Sequence, residues 1–126
     1  MTEELESLER IIKKLNEGGF EYLLTGSMAM GFYSVLRMTR NSDILLSLYG
    51  KDVDNFIKLL FEDFFIDDNM VRESLLSKMK FYIFDIKTLF KIDFILKTDE
   101  EYENLKFQRR SSLKINGIEV YVISIE

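Results

Sequence analysis

Cysteine, histidine and proline are all missing from this sequence. Without cysteine there is no disulfide framework and no thiolate zinc site. Without histidine, every mechanism that rests on an imidazole base or ligand is excluded as well. Any bound metal must therefore sit on oxygen ligands, which favours magnesium or a similar hard cation. No apolar run approaches the roughly 18 residues that a membrane span needs, and Met1 to Arg10 is acidic where a signal region would be basic. The expectation is a soluble cytoplasmic protein with no membrane partner. A net charge of −5 argues against a broad face that neutralises nucleic-acid phosphates. It leaves room for a local basic pocket, for which Arg37, Arg40, Lys106, Arg109 and Arg110 are available.

What is present is enough for a core. The 126 residues are 47% hydrophobic, with 11 Phe and 6 Tyr, which predicts one folded domain, residues 1–126, rather than a disordered chain. Leu5, Leu8, Ile11, Ile12 and Leu15 recur at helical spacing, and Gly18 and Gly19 end the pattern as a C-cap does. Phe20 to Thr25 reads as a buried strand, and Ser27 is placed to cap a helix running through Met28, Ala29 and Tyr33. Met28 and Met30 belong to the buried face of that helix.

Asp43 to Leu48 is again strand-like. Tyr49 to Lys51 forms a turn before a helix capped near Asp52, with Val53, Phe56, Ile57 and Leu60 inward. Phe64 to Asp68 is a connection without a clear period, and helix returns from about Met70 to Ser77. Met79 to Asp85 and Phe90 to Leu96, joined through Lys87 and Thr88, predict an antiparallel hairpin. A short acidic helix near Asp99 to Leu105 follows. Asn116 and Gly117, between Ser112 to Ile115 and Ile118 to Ile123, give the strongest hairpin signal of the chain. The fold class expected is α+β, a mixed sheet flanked by helices.

Thirteen residues separate Gly26 and Ser27 from the triplet Asn41, Ser42, Asp43, and a later strand carries Asp93. A small pair at the end of an apolar run lets backbone N–H groups at a helix start meet an anion closely. Alternation along a strand puts Asn41 and Asp43 on one face, where two oxygen ligands can reach one metal or a close pair of metals. Asp93 stands between Ile92 and Phe94, so its carboxylate must leave the sheet or find a cation. Each feature alone has a simpler reading: a turn for Gly26 and Ser27, an ion pair with Arg40 for Asp43, a hairpin-end role for Asp85, a solvated face for Arg109 and Arg110. The Phe-rich stretches Phe61 to Phe65 and Phe81 to Phe84 are most simply core.

Taken together, these residues resemble the nucleotidyltransferase superfamily of the DNA polymerase beta type, in its small prokaryotic and toxin-like branch. The stretch Leu24-Thr-Gly-Ser-Met-Ala-Met30 and the run Arg37-Met-Thr-Arg-Asn-Ser-Asp-Ile-Leu45 look like that family's opening signature, and Lys91-Ile-Asp-Phe94 like its third-acid strand. Arg109, Arg110 and the hairpin ending Val120-Tyr-Val-Ile-Ser124 look like segments that follow in the toxin-like branch. The resemblance implies transfer of a nucleoside monophosphate from a nucleoside triphosphate such as ATP to an acceptor hydroxyl on a tRNA end, a protein or a small molecule. It also implies Mg2+ as cofactor and an antitoxin protein as partner. Gly26 and Ser27 would hold the triphosphate, Asp43 and Asp93 would ligate metal, Asp93 would help activate the acceptor, and Arg37, Arg40, Arg109 or Arg110 would neutralise phosphate charge.

Two departures stand against that pattern. Position 41 is Asn where the family has a carboxylate, and an amide oxygen is a neutral, weaker magnesium ligand. The alternative expectation is thus a catalytically inactive domain that keeps the fold to bind a nucleotide or a protein. The resemblance also implies a helix after the last strand, whereas the sequence stops at Glu126; the expectation is a minimal catalytic core or a shortened piece.

Overall fold

The computed structural model describes residues 3–24, 41–77, 80–97, 107–108, 110–115 and 117–122, with positions 3–5, 41–43, 111, 113, 115 and 122 described through their backbone. The helix expected after Ser27, with Met28 and Met30, and the acidic helix near Asp99 to Leu105 lie outside these residues, as do Gly26, Arg37, Arg40, Lys106, Arg109 and Asn116.

Helix α1, Glu3–Gly18, buries Leu8, Ile11, Ile12 and Leu15, the stripe that its periodicity defines. It ends in a Schellman motif. Gly19 takes φ 73°, which its missing Cβ permits. The Phe20 N–H then donates to Leu15 O at 3.0 Å and the Gly19 N–H to Asn16 O at 3.2 Å, satisfying carbonyls the helix leaves open.

Strand β1, Glu21–Leu24, runs beside β2, Asn41–Ser47. After β2 the turn at Gly50–Asp52 is 3-10 and leads into α2, Val53–Leu60. Asp52 stands at the N-cap of α2, but its side chain makes no capping hydrogen bond there, because the preceding 3-10 turn already gives it a helical backbone (φ −103°, ψ 0°). Val53, Phe56 and Leu60 of α2 are buried, and Ile57 is half-buried. The connection without a clear period contains β3, Phe64–Phe65, and helix α3, Asp68–Ser77, begins earlier than the apolar pattern predicts. Asp67 explains the earlier start: its Oδ1 accepts the Met70 N–H at 3.2 Å, an N-cap bond.

The remaining strands are β4, Lys80–Asp85; β5, Lys91–Leu96; β6, Ser111–Ile115; and β7, Ile118–Val122. Both predicted hairpins are present as antiparallel pairs, β4 with β5 and β6 with β7, the second with Gly117 at φ 80°. The sheet has seven strands in the order β3-β4-β5-β2-β1-β7-β6. The pairs β2/β5 and β1/β7 are parallel and the others antiparallel, so the sheet is mixed.

The main core lies between one sheet face and the helices. Phe56 of α2 sits at its centre, edge-on to Phe20 (5.3 Å), Phe94 (5.7 Å) and Phe81 (5.9 Å), while Phe81 and Phe94 stack on neighbouring strands at 5.1 Å. Two bonds fasten α1 to the β4–β5 turn. Ser7 Oγ meets Thr88 Oγ1 at 2.6 Å, and the Arg10 guanidinium pairs with the fully buried Asp85. Asp85 keeps its turn role too, accepting the Lys87 and Thr88 N–H groups.

On the opposite face a smaller cluster, Leu23, Leu45 and Phe107 with Tyr121 against it, covers the β1–β2 region. The β3–β4 region of that face is exposed. The expectation that both Phe-rich stretches are core is corrected here: Phe64 and Phe81 are buried, but Phe61 and Phe65 are exposed and Phe84 is half-buried. Strand alternation is the cause for Phe65 and Phe84, since β3 and β4 bury only one face, whereas Phe61 is the C-cap residue of α2.

Candidate active site

The site begins with strand pairing. β2 and β5 are parallel neighbours, and the register sets Asn41 beside Lys91 and Asp43 beside Asp93. Two carboxylate residues 50 positions apart in sequence thus occupy adjoining places on central strands of the sheet. β1 is antiparallel to β2, and its last residue, Leu24, pairs with Ile44. β1 therefore ends, at Leu24, at the end of the sheet where Asp43 stands.

Asp93 belongs to the face opposite α1 to α3, because Ile92 and Phe94 on either side of it enter the main core. It is nonetheless only 5% exposed. A buried carboxylate requires a counter-charge or donors, and Lys91, two residues earlier on the same face, supplies one: its Nζ lies 3.5 Å from Asp93 Oδ1. The same ammonium stands 4.9 Å from the centre of the Tyr82 ring, on β4, and Tyr82 is the register partner of Asp93. Strand alternation alone could have flagged Lys91. The contribution of Tyr82 needed the β4–β5 register.

Among the described residues, no group of three or more His, Cys, Asp or Glu side chains is placed to hold a metal ion. The donor types at this end of the sheet, two carboxylates and the Asn41 amide, are the hard oxygens that a magnesium-like cation takes. Lys91 opposes such an ion by already compensating Asp93.

Arg110 is placed elsewhere. Its Nη1 donates to Phe107 O at 2.8 Å and its guanidinium lies 5.1 Å from the Tyr121 ring centre, against β7. Strand β7 is separated from β5 by β1 and β2, three strand spacings or about 14 Å. Arg110 instead borders a cavity of about 300 Å³ with Glu21, Tyr22 and Glu119. The Tyr22 hydroxyl there donates towards Asn16 Oδ1 (3.1 Å) and Glu119 O (3.3 Å), and burial pushes its pKa up to about 12. A larger cavity, about 470 Å³, opens at the far ends of β2 and β5 between Leu48, Tyr49, Leu75, Leu76 and Leu96. Arg72 and Lys97 also border it, and it lies away from Asp43 and Asp93, which stand near the beginnings of those strands.

No protein-family model matches the sequence, and no curated protein matches it. Among solved structures, the chain is similar to a "putative nucleotidyltransferase" from Thermotoga maritima. The TM-score is 0.59 at 14% identity, over 96% of this chain and 77% of the other. At that identity the likeness concerns the fold. Among the described residues, the mixed sheet with α1 to α3 packed on one face is a nucleotidyltransferase-like fold.

Proposed function

We propose that the β2–β5 end of the sheet binds a nucleoside triphosphate and transfers its nucleoside monophosphate to an acceptor hydroxyl, breaking the α–β phosphoanhydride bond and releasing pyrophosphate, with Mg2+ as cofactor. The observation that carries this reading is the in-register pairing of Asp43 with Asp93 on adjacent parallel strands. Asp43 and Asp93 would hold the cation, with the neutral Asn41 amide as a weak third ligand. Bound there, the ion would neutralise phosphate charge and polarise the phosphoryl group. Gly26 and Ser27 would receive the triphosphate where the chain leaves β1, and Arg37, Arg40 or Arg109 would add positive charge. Asp93 would accept the proton of the attacking hydroxyl. The acceptor class stays as the resemblance has it, a tRNA end, a protein or a small molecule, and an antitoxin partner belongs to the same proposal.

The test is incubation with each labelled nucleoside triphosphate and magnesium, using the parent and Asn41→Asp. Transfer by the parent that rises at least tenfold in Asn41→Asp supports the proposal. No transfer and no triphosphate binding by either protein would overturn it.

The Lys91 to Asp93 contact favours a second reading, in which the ammonium replaces the metal and the domain binds a nucleotide without turnover. That reading predicts calorimetric triphosphate binding that barely changes when magnesium is omitted, and no turnover gained by Asn41→Asp.

A further inference from the structure

Lys91 and Asp93 are held by the fold in different ways. The Lys91 side chain is 36% exposed and that of Asp93 7%, so the ammonium can move into solvent while the carboxylate stays enclosed. In its own row Lys91 meets no charge, since its register partners are Asn41 on β2 and Phe84 on β4. The ammonium reaches along β5 to Asp93 instead. It stops 3.5 Å from Oδ1, beyond the roughly 2.7–2.9 Å of a charge-assisted hydrogen bond. At the same time it stands 4.9 Å from the centre of the Tyr82 ring, a second place where a cation is attracted.

Asp85, also buried, shows how this chain builds a permanent pair. It takes the Arg10 guanidinium in a direct hydrogen bond and accepts the Lys87 and Thr88 N–H groups at 2.8 and 3.3 Å. A planar guanidinium with backbone donors fixes a carboxylate in one arrangement, whereas a lysine is a point charge on a flexible four-carbon stem. Asp93 has the looser partner. Asp43 adjoins it in register on β2, so this part of the sheet carries two negative charges against one ammonium. The surplus attracts a divalent cation, and two positive charges arriving beside Asp93 repel the ammonium.

We infer that Lys91 is an exchangeable counter-ion that regulates the cation site: it neutralises Asp93 until a divalent cation takes its place, then withdraws to the Tyr82 ring and solvent. The inference rests on the proposed cation-dependent reading and adds a threshold to it, because the site fills only where the cation is concentrated enough to displace the ammonium. It parts from the reading in which the ammonium replaces the metal, since there Lys91 never leaves.

The experiment follows binding of Mn2+ alone to the whole chain by electron paramagnetic resonance, with the thermal midpoint recorded with and without Mn2+. Lys91→Met removes the competing charge and should bind Mn2+ about tenfold more tightly than the parent. Without Mn2+ it should melt below the parent, since Asp93 has lost its counter-charge, and saturating Mn2+ should restore most of that loss. Lys91→Arg keeps the charge and grips a carboxylate more firmly, so its Mn2+ affinity should be no greater than the parent's. Lys91→Gln, neutral and able to hydrogen-bond Asp93, takes the place of Lys91→Met if that variant does not fold, with the same gain expected. Equal Mn2+ affinities in the parent and the neutral variants would overturn the inference and leave the cation site standing. A lowered midpoint that Mn2+ does not restore, with no gain in affinity, would overturn it in favour of a fixed counter-ion. No Mn2+ binding by any form would overturn it together with the cation site. A gain in Mn2+ affinity without nucleotide transfer would remove the proposed reaction and keep the exchange.

Discussion

Asp85, on β4, is fully buried, and its counter-ion is Arg10, on α1, 75 residues earlier in the chain. The pair joins the first helix to the turn that leads into β5, the strand of Asp93. Its carboxylate also accepts two backbone N–H groups. Stability and placement of the site strand are therefore coupled through one ion pair.

Arg10→Ala should destabilise the protein by about 2–4 kcal/mol, because removing one partner leaves a buried charge uncompensated. The two N–H groups that remain on Asp85 keep the cost from rising further. Urea unfolding of the parent and the variant measures it, and a shift below about 0.5 kcal/mol would show that the pair contributes little.

Tyr22 gives a pH signature. Its hydroxyl titrates at about 12 in the folded chain against 10.0 for the free group, so between these values the folded state holds a proton that the unfolded state has released. The associated stability is complete below pH 10 and is lost as pH rises towards 12, up to about 2–3 kcal/mol. Tyr22→Phe should be less stable than the parent by about 1 kcal/mol at pH 7 through lost hydrogen bonds, and the gap should close or invert by pH 12. Parallel denaturation series at pH 7, 10 and 12 check this; a constant gap would show that Tyr22 is not the titrating group.

Leu89 holds φ 63° in the β4–β5 turn and is 66% exposed. A branched side chain in the left-handed region costs about 1 kcal/mol, and little packing would be lost with it. Leu89→Gly should therefore raise stability, by up to about 0.5 kcal/mol after the extra chain entropy of glycine is subtracted. The melting temperature reports the sign, and a decrease would mean that the leucine makes a contact worth more than the strain.

Local chemistry explains which parts of the fold were legible in the sequence. The α1 stripe, the Gly19 C-cap and the Gly117 hairpin each depend on residues a few positions apart, and all three appear as the pattern implies. β3 was not legible, because two residues carry no period, and it forms only by pairing with β4. The outward turn of Phe65 was missed for a related reason: hydrophobicity indicates a capacity for burial, and the sheet edge decides whether it is used. Asp43 and Asp93 were recognisable as acids on strand-like stretches. Their adjacency follows from a parallel register between β2 and β5 that no local pattern encodes. Arg110 shows the converse, a charge chosen from sequence that the fold sets against Phe107 and Tyr121, three strands from Asp93.

The central claim is that Asp43 and Asp93 act together on a divalent cation. The most direct measurement is titration of Mn2+, a paramagnetic stand-in for Mg2+, followed by electron paramagnetic resonance with a non-hydrolysable nucleoside triphosphate present. The account predicts that Asp43→Asn and Asp93→Asn each weaken binding of Mn2+ at least tenfold, and that the double variant adds little, as expected of two ligands to one ion. Mn2+ affinities equal in the parent and both single variants would contradict it.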